Sequence, residues 1–293
     1  PVILQSSGAG SLLDLSSVQT LNAGFDNSGN DYVYQNIIAE DSGSIDLSGL
    51  QNIIAPVDPQ GRLNISASGA DTKLTLDSLT EINGSYSGSY YYFSKVPFII
   101  DSAILSLPSL DKTGQASFAL TNNANLQLPA VSTMEDTQFF VSGGSTVTDG
   151  TGASVYSTLN IWRNWDASGS YGDQAGTWEP VILQSSGAGS LLDLSSVQTL
   201  NAGFNASGND QIYQKIVADD HGVIDLSGVQ SLIAPDGSDD RLNIVANAGA
   251  LVDLSRLNVV SSANAGAVNF TLNSSELRLG HVNFGANSTI SLD

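Results

Sequence analysis

The chain has 293 residues, long enough to bury a sizeable core. It carries 9 Lys+Arg against 29 Asp+Glu, a net charge of −20, although only 13% of its residues are charged. Nucleic acid and anionic membrane surfaces are disfavoured as partners, since both need clustered cations. The absence of cysteine excludes disulfides, thiolate metal sites and thiol catalysis. With 41% hydrophobic residues the composition is too apolar for a disordered acidic chain. No apolar run reaches the roughly 18 residues of a membrane-spanning helix, so no membrane insertion is expected. An acidic, lysine-poor, cysteine-free chain suits an extracellular or cell-surface location.

From its first residue the chain repeats itself. PVILQSSGAGSLLDLSSVQTLNAGF at 1–25 returns unchanged at 180–204, and 48 of 65 positions agree between 1–65 and 180–244. Residues 1–179 therefore form a first long repeat and 180–293 a second, truncated one, expected to be continuous as one solenoid. The parent protein is expected to continue in both directions.

A shorter phrase recurs inside each copy. In chain order it reads SLLDLSSVQTL (11–21), SIDLSGLQNI (44–53), KLTLDSLTEI (73–82), AILSLPSLDK (103–112) and NLQLPAVSTM (125–134). Copy two has SLLDLSSVQTL (190–200), VIDLSGVQSL (223–232), LVDLSRLNVV (251–260) and ELRLGHVNF (276–284). Alternation with period two marks a strand buried on one face, and the three-residue step that follows marks a turn. A second strand phrase precedes each one, as in LNISA (63–67), FIID (98–101), SFALT (117–121), QFFVS (138–142), LNIVA (242–246) and NFTLN (269–273).

The anchor leucines at 15, 47, 76, 107 and 128 are 32, 29, 31 and 21 residues apart. One strand–turn–strand unit cannot cover its own apolar face, but stacked units can. The expected fold is all-β: a β-solenoid, most simply a right-handed parallel β-helix of irregular coils with loop insertions on one side. The anchor leucines should form one interior column, continued by Leu194, Leu226 and Leu254. A Tyr-rich insertion is expected near 85–93 and a Trp-rich one near 157–178.

These Gly/Asn/Ser-rich coils and the near-identical long repeat resemble repeat segments of large secreted bacterial surface proteins, the filamentous-haemagglutinin-like giant adhesins. The resemblance is one of repeat style. It implies a structural and adhesive role for a long extracellular rod, and it carries over no individual functional residue.

The Asp of the LDLS and IDLS phrases (Asp14, Asp46, Asp193, Asp225, Asp253) should point outward and stack about 4.8 Å apart. Such a ladder is either solvated and bonded to its own turns, or neutralised by Ca²⁺. Loop carboxylates at Asp26 and Asp31 (DNSGND) and at Asp236, Asp239 and Asp240 (DGSDD) are further Ca²⁺ candidates, because hard oxygen donors between Gly and Ser suit that ion; Asx turns account for the same residues without metal. No cofactor is required by the sequence. Exposed aromatic residues offer flat apolar area with a polar edge, which suits carbohydrate or a cell-surface protein. Tyr86, Tyr90, Tyr91, Tyr92, Trp162, Trp165 and Trp178 are the ligand-contact candidates.

No catalytic residue is assigned. Arg62 and Arg241 are the strongest cations, but they occupy equivalent positions in the two copies, as expected of structural arginines that pair with nearby Asp or bind loop carbonyls. Non-catalytic structural and adhesive function leads this reading. A carbohydrate-active β-helix enzyme (polysaccharide lyase or hydrolase) and a carbohydrate-binding module are the alternatives.

Overall fold

The computed structural model describes residues 2–24, 34–56, 61–84, 95–150, 154–161, 177–204, 211–262, 266–285 and 288–292. Among them there is no helix, and every sheet ladder is parallel. The described residues form a parallel β-solenoid of ten complete three-strand coils, followed by the first strand of an eleventh (Ser288–Leu292). Coil 1 consists of Ile3–Ser7, Leu12–Asp14 and Thr20–Asn22, and each later coil repeats this order. The first strands stack into one sheet of long strands, the second into a sheet interrupted between Lys73–Thr75 and Ile104–Ser106, and the third into a continuous ten-stranded sheet.

The recurring sequence phrase therefore covers two strands and the corner between them, not one strand and a turn. In SLLDLSSVQTL the Leu12–Asp14 strand leads into a tight turn closed by Val18 N–H donating to the Leu15 carbonyl at 2.9 Å, and Thr20–Asn22 follows. The same bond joins Leu50 to Leu47 and Val229 to Leu226. Both apolar residues of the turn point inward, which is why the apolar period changes from two to three there.

At the first corner of every coil the backbone enters the left-handed region. Asp41, Ser102, Asn122, Asp220 and Ser274 do so in five coils, and glycines such as Gly8, Gly69 and Gly143 do so in others. This explains the abundance of Gly, Asn, Asp and Ser between the first and second strand phrases.

Insertions gather at the third corner, where the chain leaves one coil for the next. That corner is one residue long after coil 4 (Gln115) and two after coil 5 (Asp136, Thr137). It is 11 residues after coil 1, 12 after coil 3 and 23 after coil 6. The 21-residue step from Leu107 to Leu128 is thus a coil almost without insertion, and the longer steps are similar coils with more chain at this corner.

Inward residues stack in columns. Ile37, Ile65, Phe98, Phe118, Phe139, Leu183, Ile216, Ile244 and Phe270 follow one another in register down the first sheet. Phe118 lies between Phe98 and Phe139, with ring centroids 4.9 and 5.3 Å away and rings nearly parallel. The anchor leucines 47, 76, 107, 128, 194, 226 and 254 are all buried, whereas Leu15 in the first coil is half-buried. One coil departs from this column. Leu128 pairs in register with Asp149, so coil 6 places a carboxylate where its neighbours place leucine.

The 179-residue period spans six coils, and all three ladders run across the junction between the copies. Phe139 pairs with Leu183, Val147 with Leu192 and Tyr156 with Leu200.

Candidate functional site

Two consecutive short third corners, flanked by two long ones, leave a trough on the outside of the third sheet. Its volume is about 310 Å³, and it is walled by Glu81, Asn83, Lys112, Gln115, Glu135, Asp136 and Asn160. The strands Glu81–Asn83, Lys112–Gly114 and Thr133–Glu135 supply its base, with Lys112 in register between Glu81 and Thr133. Alternation along these strands turns Glu81, Lys112 and Glu135 outward while Ile82 and Met134 enter the core.

Beneath the trough the interior is polar. Thr113 occupies the inward position between Ile82 and Met134, and its hydroxyl lies 2.8 Å from that of Thr137. The Thr137 hydroxyl also lies 3.0 Å from the Glu135 carbonyl. Tyr156 is fully buried and donates its hydroxyl to the Thr137 carbonyl at 2.6 Å. Burial holds the Tyr156 phenol far above its ordinary range, and the nearby Asp136 charge adds to this. Asp136 accepts the main-chain N–H and the side-chain amide of Asn160 at 2.8 and 2.9 Å. Burial pushes the Asp136 carboxyl above its usual value against those two bonds, with a smaller contribution from the Glu135 charge. Both Asp136 oxygens are thus engaged in tying the corner after coil 6 to the corner after coil 5. Further along the solenoid, Gln214 of coil 8 accepts from the Thr158 hydroxyl and donates to the carbonyls of Thr158 and Ile161.

The sequence-predicted residues distribute as follows. Tyr86, Tyr90, Tyr91, Tyr92, Trp162, Trp165, Asp26 and Asp31 lie outside the described residues. The Tyr-rich stretch follows Gly84 in sequence, and the Trp-rich stretch follows Asn160 and Ile161; Gly84 and Asn160 both line the trough. Trp178 is half-buried in the two-residue strand Thr177–Trp178, which pairs with the start of Gln211–Asp219. Asp236, Asp239 and Asp240 share the third corner after coil 8 but face different ways. Asp239 is exposed, Asp236 half-buried, and Asp240 buried with its carboxylate accepting the Ile212 N–H at 2.9 Å. Among the described residues no three carboxylate or histidine side chains converge as a metal cage.

The outward Asp ladder bonds to its own turns. Asp14, Asp46, Asp193, Asp225 and Asp253 each accept the N–H two residues on, at 2.9 to 3.0 Å. The Ser16 hydroxyl, with its N–H, holds the exposed Asp14 carboxyl below its usual value. Arg62 and Arg241 lie over the rings of Tyr34 and Tyr213, at 5.8 and 5.3 Å. Each Tyr is the register partner of its Arg in the coil before, so both copies repeat one stacked pair.

Sequence reasoning missed Glu81, Lys112, Glu135, Asp136 and Asn160. A signal was available: the 21-residue anchor step marks the coils whose third corner is too short to cover the sheet beside it. No family model, curated protein or solved structure matches the chain.

Proposed function

We propose that this chain is a non-catalytic structural and adhesive segment of an extracellular repeat protein. In this reading the coils provide a stiff scaffold, and the third corner provides the contact surface for a carbohydrate or a cell-surface protein. One observation carries it: additional chain accumulates at a single corner while the first and third sheets continue from coil to coil. Regular coils fix spacing, and sequence variation concentrated on one edge is where recognition is free to differ. The trough supports the same reading, since its amide, ammonium and carboxylate groups suit a polyhydroxylated ligand. Engagement of both Asp136 oxygens by Asn160 argues against that residue as a glycosidase carboxylate, whose role needs a free oxygen at the glycosidic bond. In this reading no cofactor is required, and the corner carboxylates Asp236 and Asp239 remain the Ca²⁺ candidates.

The test is binding to glycan and cell-surface-protein arrays, comparing the wild-type protein with Lys112→Ala and Glu135→Gln. Both side chains are exposed, so the fold should be kept. Saturable binding weakened at least tenfold by either change supports the reading. New reducing ends or unsaturated products from a polysaccharide would replace it with a carbohydrate-active enzyme, and loss of such turnover in Arg62→Ala would assign Arg62 to catalysis.

A further inference from the structure

Gly114 leaves a gap in a row of side chains. It lies two residues after Lys112 on the outward face of the third sheet, in register with Glu135. The same outward position carries Ile54, Asn83, Glu135, Ser157, Asn201 and Ile233 in coils 2, 3, 5, 6, 7 and 8. Glycine weakens a strand relative to alanine, so its presence calls for a reason. The fold supplies none. The backbone of Gly114 is not left-handed, and a Cβ placed there would meet the Ile82 carbonyl at 3.4 Å and the Gly84 nitrogen at 3.6 Å, both ordinary contacts. Gly84 in the wall of the trough is different, because its Cβ would lie 2.4 Å from that of Gln115.

A glycine that the backbone does not need leaves bare strand at the floor of the trough. A ligand ring can approach there more closely than any side chain would allow. Around this floor stand Glu81, Asn83, Lys112 and Glu135, with Asn160 held in place by Asp136. Among the described residues Lys112 makes no ion pair with Glu81 or Glu135, so its ammonium and both carboxylates are available to a ligand. A volume of about 310 Å³ is at the small end of ligand pockets and accommodates a sugar ring. Two available carboxylates against one ammonium, on a chain of net charge −20, repel an acidic sugar and attract an amine.

We propose that the trough binds a sugar bearing a free amine, with its ring laid on the bare strand at Gly114. Glu135, the register neighbour of Gly114, holds the ammonium of the sugar, and Lys112 donates to a ring hydroxyl. This rests on the trough being the contact surface and narrows the class of ligand that it takes.

The test is calorimetric titration of the whole chain with tetramers of β-1,4-linked glucosamine, N-acetylglucosamine and glucose, which share one backbone and differ at the amine. The glucosamine tetramer should bind at least tenfold more tightly than the other two. Gly114→Ala should weaken it at least tenfold while melting at or above the wild-type temperature. A purely structural glycine would lose stability and binding together, and that result overturns the role of Gly114. Glu135→Gln should remove the preference for the amine. Asp225→Asn, which removes the same charge on the second sheet, should leave binding unchanged; an equal loss there would mean attraction to net charge alone and overturn the site. Equal affinities for the three tetramers, or undiminished binding in Gly114→Ala, also overturn the proposal. If no tetramer binds but an array ligand is weakened by Lys112→Ala, the amine class fails and the contact-surface reading stands. If no array ligand depends on Lys112 or Glu135, the contact-surface reading fails with it.

Discussion

Ser196 of coil 7 donates both its hydroxyl and its main-chain N–H to the carboxylate of Asp149 in coil 6, across 47 residues of sequence. Asp149 thereby occupies a column otherwise built from leucine, between Leu128 and Leu194. Burial pushes its carboxyl up to about 6; the Ser196 bonds oppose this, and the charges of Asp193 and Asp225 reinforce it.

A carboxyl whose folded value exceeds its unfolded one is bound more tightly to its proton in the native state, so it stabilises the fold at low pH and the benefit is lost as pH rises through about 6. Wild type minus Asp149→Asn should therefore show a Tm difference that grows less favourable between about pH 4 and 6 and levels off above that. Because Asp149 is only half-buried, solvent screening reduces the effect to about 1 kcal/mol. Parallel Tm-against-pH curves for the two proteins would refute this assignment.

Phe118 has an aromatic ring on each side in the core. Phe118→Ala should cost about 3–5 kcal/mol in urea denaturation, through lost burial and the cavity left between Phe98 and Phe139. Phe118→Leu should cost much less, since most of the volume is kept. Equal losses would mean that stacking, not volume, dominates the column.

Gly228 lies at the second corner of coil 8, where an added Cβ would sit 2.0 Å from the Ser195 carbonyl of the coil above. Gly228→Ala should destabilise by about 1–3 kcal/mol, because a backbone carbonyl cannot move aside without disturbing its ladder. A thermal melt within one degree of wild type would show that the coils separate more easily than their hydrogen bonds imply.

The Asp ladder uses one carboxylate oxygen per residue on the N–H of its own turn. Asp225→Ala should lower stability by about 1 kcal/mol, and Asp225→Asn should restore most of it by keeping the acceptor. With the ladder so engaged, Na⁺ and Ca²⁺ at matched ionic strength should raise Tm equally, by screening alone. A chelator-reversible excess with Ca²⁺ that disappears in Asp236→Asn or Asp239→Asn would instead locate a metal at the corner after coil 8.

The coil was legible in local sequence pattern. Alternation through LLDL and the three-residue step to Val18 are local patterns, and they specify which side chains enter the core wherever the chain is stacked. Unequal anchor steps also made insertions legible, since a coil of fixed cross-section can vary in length only where chain leaves it. It took the stacked coils to show that the insertions share the third corner, that Glu81, Lys112, Glu135 and Asp136 meet there, and that Asp149 interrupts the leucine column. These relationships join residues twenty or more positions apart, as Thr158 and Gln214 do across 56. Such pairs depend on the accumulated register of several coils and leave no periodic trace in the sequence between them.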